Sequence, residues 1–156
     1  MRKRIITSTP AEGQSADAWL DLSDVAEVEI TSEDPEHPIE HALLPSAGAG
    51  WRAAGPGRQT IRLVFPDPQP IRRIRLEFTE PETERTQEFV LGWSSSREHP
   101  VAEIVRQQWN FSPGGGISET EDLRVDLQAV AVLELTITPD VSGGEARATL
   151  ARLRLA

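Results

Sequence analysis

The feature that most constrains this chain is an alternation of apolar and polar residues with period two, repeated along most of its length. Ala26, Val28 and Ile30 alternate with Glu27 and Glu29. Ile61, Leu63 and Phe65 repeat the pattern, as do Ile74, Leu76 and Phe78 against Arg73, Arg75 and Glu77. Phe89, Leu91 and Trp93 follow, then Leu123, Val125 and Leu127, then Leu133, Leu135 and Ile137, and last Ala151, Leu153 and Leu155. Successive side chains of a strand point to opposite faces, so each set has one greasy and one polar side, as half-buried antiparallel strands require. Leu20 and Leu22 read as the beginning of the first strand, and Val101 to Gln108 as a less regular additional one. The pattern predicts about eight strands, with a further short one at Arg4–Thr7.

The intervals carry turn chemistry. Pro66-Asp67-Pro68-Gln69-Pro70 cannot continue a hydrogen-bonded ladder, because its three prolines have no amide donor. Pro113-Gly114-Gly115-Gly116 and Ser142-Gly143-Gly144 have the backbone freedom of loops. One stretch reads as helical: Asp34 or His37 capping a turn or two that runs to Leu44, with Pro35 or Pro38 at the first helical position and Ala47-Gly48-Ala49-Gly50 ending it. Residues 1–17 are polar and small, a loose end or an added short strand. Residues 18–156 form one domain, an all-β sandwich of two packed antiparallel sheets with one short helical turn.

Composition narrows what such a sandwich can do. In 156 residues there are 16 Lys and Arg against 25 Asp and Glu, a formal charge of −9. That field repels nucleic acid and anionic membranes. No cysteine is present, which excludes a disulfide framework, a thiol nucleophile and a thiolate metal site together. The basic start Met1-Arg2-Lys3-Arg4 is followed by too few apolar residues for a secretory leader, so the expected compartment is the cytoplasm. Catalytic signatures are missing. Gly92-Trp93-Ser94-Ser95-Ser96 is not a nucleophile elbow, and Gly114-Gly115-Gly116 opens no helix that would cradle phosphate. The chain reads as a non-catalytic module.

The order of features resembles the discoidin, or coagulation factor 5/8 type C, family. The residues that carry the resemblance are Ala49-Gly50-Trp51-Arg52, Ile61 to Phe65, Ile71 to Leu76, Phe89 to Ser96 and Leu150 to Leu155. The resemblance implies a galactose-binding-like jelly roll whose ligand, a carbohydrate, sits at the loop end. In many carbohydrate-binding relatives it also implies a structural calcium, held by an Asp several residues before the first Trp and by a Glu in the final strand. Here those places read Leu43-Leu44-Pro45 and Ala151-Arg152-Leu153, and calcium needs several hard oxygen ligands. The expectation is therefore no cofactor and no calcium. The disulfide common in the family and its Trp near His99-Pro100 are also absent.

Trp51 and Arg52 could stack on a sugar ring and fork to its hydroxyls, or Trp51 could be a structural Trp under its loop. Trp93, in phase with Phe89 and Leu91, points inward. Trp109-Asn110, at a strand end beside a glycine-rich loop, suits an adaptable contact surface or an aromatic plug. His37 and His41 have the spacing of two metal ligands on a helix but no legible third, so no metal site is assigned. The expected sugar site comprises His37, Trp51, Arg52, Trp109 and Asn110, with Arg97 and His99 from a neighbouring loop. The alternative is a protein-docking module inside the cell. Six arginines, Arg52, Arg58, Arg62, Arg72, Arg73 and Arg75, face one acid, Asp67, over 24 residues. Arg62, Arg73 and Arg75 would share the docking face, on neighbouring strands, unless they are simply paired across strands. Membrane binding through apolar loop tips ranks last, for want of such loops beside basic residues.

Overall fold

The alternation is realised as two layers enclosing one core in the computed structural model, which describes residues 19–45 and 48–156. The strand expected at Arg4–Thr7 and segment 1–17 lie outside the described residues. In chain order the elements are helix α1 (Leu22–Val25), strand β1 (Glu27–Ile30), helix α2 (Glu40–Leu43), β2 (Trp51–Pro56), β3 (Gln59–Thr79), β4 (Arg85–Ser94), β5 (Ala102–Phe111), β6 (Ser118–Thr138), β7 (Arg147–Leu150) and β8 (Arg152–Leu155).

Two long strands build both layers. β3 and β6 pair antiparallel from Gln59↔Ile137 to Thr79↔Ser118, with the register broken between Val64 and Arg73. The proline segment falls in that break. Proline keeps the chain extended but donates nothing, so the strand does not end there; it loses its ladder and passes from one layer to the other. What reads as two strands on each side of a turn is thus one strand bent at a corner. The first layer orders β1, the start of β3, the end of β6, β4 and β5. The second consists of the start of β6, the end of β3 and β8, with the β2–β7 pair alongside, where the Ala151 amide donates to the Glu77 carbonyl.

Inward residues of both layers, among them Ile61, Leu76, Phe78, Phe89, Leu135 and Leu153, form one buried cluster. Phe78 and Phe89 join the layers with ring centroids 5.2 Å apart, a contact worth about 0.5–1.5 kcal/mol beyond its buried area. Trp93 only packs against this cluster, half-buried.

Three local expectations change. Leu22 lies in a helical turn rather than a strand, because the Asp21 carboxylate accepts the Ser23 amide as an N-cap. The second helix starts only at Glu40, after Pro38 and an isolated bridge between Asp34 and His37. His37 therefore lies outside the helix, and the helical face that would align it with His41 does not form. Trp51 and Arg52 begin a strand rather than occupying a loop, paired with Leu150 and Thr149. Gly50 makes this approach possible: its φ is +114°, and a Cβ there would meet the Leu150 carbonyl oxygen at 2.7 Å.

Candidate functional site

The registers gather one set of connections at one end of the sandwich: segments 31–39, 80–84, 112–117 and 139–146. Two adjoining hollows of about 320 and 290 Å³ open there. Arg52, Glu80 and Thr83 line both and form the ridge between them. His37 and Gly50 flank the first hollow; Asp140, Gly143 and Arg147 flank the second.

The ridge is built from beneath. β4 continues its inward phase past Phe89 to Gln87 and Arg85, so an arginine enters the interior, 2 % exposed. Its Nε donates to Glu80 Oε1 at 2.9 Å, Nη1 to the Pro139 carbonyl at 2.8 Å and Nη2 to Thr149 Oγ1 at 3.2 Å, while the guanidinium lies 4.9 Å over the Phe111 ring. One side chain thus ties both loops to β5 and β7. Glu80 Oε2 accepts the Glu82 and Thr83 amides, each at 3.2 Å, fixing the turn that presents Thr83. Burial opposes the charge on Glu80, but the Arg85 guanidinium and those two amides prevail and hold its carboxyl below the usual range.

Arg52 is strapped by its backbone: it donates to the His37 carbonyl at 3.2 Å and accepts from the Asp34 amide at 2.8 Å. Its exposed guanidinium makes no hydrogen bond or ion pair among the described residues. His37 Nδ1 lies 3.4 Å from Asp34 Oδ2, within ionic reach but without a hydrogen bond. The Glu36 amide, with help from His37 and Arg147, holds the Asp34 carboxyl below its ordinary value.

His37 and Arg52 are therefore brought together as expected, but Trp51 is not a platform. It is 1 % exposed and donates its indole N–H to the Ser32 carbonyl at 3.0 Å, the structural role weighed against stacking. Trp109 and Asn110 lie at the same end on the outer strand of the first layer, opposite Gln87 and Thr86. Trp109 is 39 % exposed beside the glycine-rich loop, with its ring 3.4 Å from where a Cβ on Gly116 would stand; Asn110 accepts the Thr86 hydroxyl, and neither lines the two hollows. Arg97 and His99 belong to the opposite end, beside Arg62, where Arg97 donates to Glu29 at 3.2 Å. Arg62 is bound to Glu29 and Glu134 on the first layer, whereas Arg73 and Arg75 lie on the second. The expected three-arginine face is split, because β3 changes layers between residues 62 and 73.

Arg85, Glu80 and Thr83 were missed as site residues. A signal for Arg85 existed, since it shares the phase of Phe89 and Leu91. At the two places where the family resemblance puts calcium ligands, Arg152 Nη1 donates to the Pro45 carbonyl at 3.2 Å, so a cationic side chain joins them. Among the described residues no three His, Cys, Asp or Glu converge as a metal site.

No family model matches the sequence, and no curated protein matches it. Solved structures do. The third family 32 carbohydrate-binding module (CBM32) of a family 31 glycoside hydrolase from Clostridium perfringens superposes with a TM-score of 0.65 at 14 % identity, covering 93 % of this chain and 98 % of that one. The CBM32 of AlyQ, in complex with 4,5-unsaturated mannuronic acid, gives 0.60 at 13 % identity, covering 85 % and 95 %. The family 32 module of C. perfringens NanJ, in complex with galactose, gives 0.58 at 13 %, covering 88 % and 96 %. The described chain has the galactose-binding-like jelly-roll fold of these modules.

Proposed function

We propose that the chain is a non-catalytic carbohydrate-binding module that takes a sugar at the loop end, across the ridge of Arg52 and Thr83. The observation that carries this reading is the exposed Arg52 guanidinium between two hollows, unpaired among the described residues, on a backbone held by bonds that leave its side-chain donors unspent. Guanidinium matches vicinal hydroxyls or a carboxylate, and His37 and Thr83 add polar groups to orient a ring. The bound sugars of the structural neighbours, galactose and an unsaturated mannuronic acid, lie in the same ligand class. Glu80 is the carboxylate built into this ridge, and its engagement with Arg85 and two amides leaves it a poor proton donor, which favours binding without hydrolysis. We further infer that the module needs no calcium, Arg152 supplying the positive charge at the Pro45 carbonyl.

A glycan array followed by calorimetric titration tests the reading. Arg52→Ala should weaken the sugar by about tenfold or more, the scale of losing a charged hydrogen bond, with an unchanged melting temperature. Silence across the array, or equal affinity of the variant, would refute it.

A further inference from the structure

The outer face of the second layer carries a charge pattern that neither the fold nor the loop-end site requires. On this face Arg73 stands opposite Arg124, Arg75 opposite Asp122 and Glu77 opposite Thr120. On the other side of the same strand, Arg75 stands opposite Arg154 and Glu77 opposite Arg152. With Arg72, 4.0 Å from Asp126 on the same face, six arginines therefore share three acids. Asp122 is divided between Arg73, at 2.9 and 2.7 Å, and Arg75, at 3.1 Å, and Glu77 accepts Arg75 at 3.1 Å. Arg124, Arg152 and Arg154 have no acidic partner among the described residues. Like charges directly opposite in a sheet are destabilising. Partial burial and the neighbouring Arg152 pull the Arg154 guanidinium below its ordinary value despite Glu77. A local excess of three positive charges on a chain of net charge −9 is a field waiting for an external anion.

We propose that this face, centred on Arg75 and Arg154, docks an extended chain of uronic-acid sugars, separately from the sugar ridge at the loop end. Three features favour that occupant. The arginines are spread over adjacent strands about 4.8 Å apart, an interval close to one hexose in an extended chain. Asp122, Glu77 and Thr120 put acceptors on the same face as the arginine donors, so the face suits a polymer bearing hydroxyls with carboxylates rather than carboxylates alone. Half-buried Trp19, with the Arg73 guanidinium 4.8 Å over its ring, puts an aromatic surface at the margin. Denser polyanions such as duplex nucleic acid are repelled by the rest of the molecule.

The inference borrows the ligand class from the proposed carbohydrate-binding function, so the test is run in the Arg52→Ala background, where the loop-end ridge is disabled. Gel retardation is measured with embedded polygalacturonate, neutral galactan, polyglutamate or DNA. Polygalacturonate should retard the protein, increasingly so at low salt. Arg154→Glu should reduce that affinity by about tenfold or more. Because this substitution places an acid opposite Arg75, it should leave the melting temperature equal or higher, which separates lost binding from lost folding. Unchanged retardation in Arg154→Glu, equal retardation by polyglutamate or DNA, or abolition of polygalacturonate binding by Arg52→Ala alone would each overturn the proposal. The last of these would leave the loop-end reading intact.

Discussion

Glu119→Gln is the substitution whose consequences follow most directly from the geometry. Glu119 is 3 % exposed on the inward face of β6. One carboxyl oxygen accepts the Gln87 amide at 3.4 Å, and the other has no hydrogen-bond partner. Burial, followed by the neighbouring Glu121 carboxyl, pushes its pKa from 4.5 up to about 8. The folded state therefore keeps a proton that the unfolded chain gives up near pH 4.5. Stability from this group is fully present below that value and is lost progressively as pH rises to about 8. At about 1.4 kcal/mol per pKa unit the ceiling is about 5 kcal/mol. Relaxation of the protein around a buried carboxyl reduces this ceiling, so we expect a fall of about 2–3 kcal/mol between pH 5 and 8, or roughly 4–12 °C in Tm for a chain of this size. In Glu119→Gln the neutral amide can donate to Glu121 and still accept from Gln87, so the pH dependence should flatten and the variant should melt higher at pH 8. Asp34, Glu80, Asp122 and Asp140 are all held below their ordinary values, so their contribution is lost only as pH falls through the acidic range, below this window. The assay is a series of reversible thermal melts from pH 5 to 8 on both proteins. Parallel curves, or a wild type that gains stability across this interval, would falsify the reasoning.

Two further outcomes follow. Arg85→Met keeps the length of the side chain but leaves Glu80 charged, largely buried and without its cation; it should cost about 3–5 kcal/mol in denaturant unfolding, and Glu80→Gln in the same chain should recover part of that loss. Chelation by EDTA and addition of calcium should both leave the Tm of the wild type unchanged, while Arg152→Ala should lower it by a few degrees without rescue by calcium; a calcium-dependent rise in the wild type would contradict the assignment of Arg152.

The site shows why part of it was legible and part was not. His37 and Arg52 lie fifteen positions apart, and the sequence offered polar chemistry at both, but their meeting depends on backbone bonds between the 34–37 loop and the start of β2. Trp51 was ambiguous because an indole beside an arginine reads equally as platform or plug. The Ser32 carbonyl that accepts its N–H decides for the plug. Arg85 and Glu119 carried a readable signal, each sharing the inward phase of its strand, but an arginine or glutamate in that phase is ordinarily a strand end reaching solvent. Only the opposite layer, supplying Glu80 and Thr149 to one and Gln87 to the other, together with the Phe111 ring from the adjacent strand beside Arg85, makes their burial tolerable.

What the sequence determined by itself was the class of the fold, because period-two burial is a local property of the backbone and needs no knowledge of partners. It also determined that the proline segment breaks a ladder. Whether that break ends a strand or carries it into the second layer depends on contacts between residues far apart in the chain, and those contacts decided it. The same crossing separated Arg62 from Arg73 and Arg75, placed Arg75 opposite Arg154, and set the loops around Arg52. Charge meets charge across strands according to register, and register is fixed by how the two greasy faces close on each other.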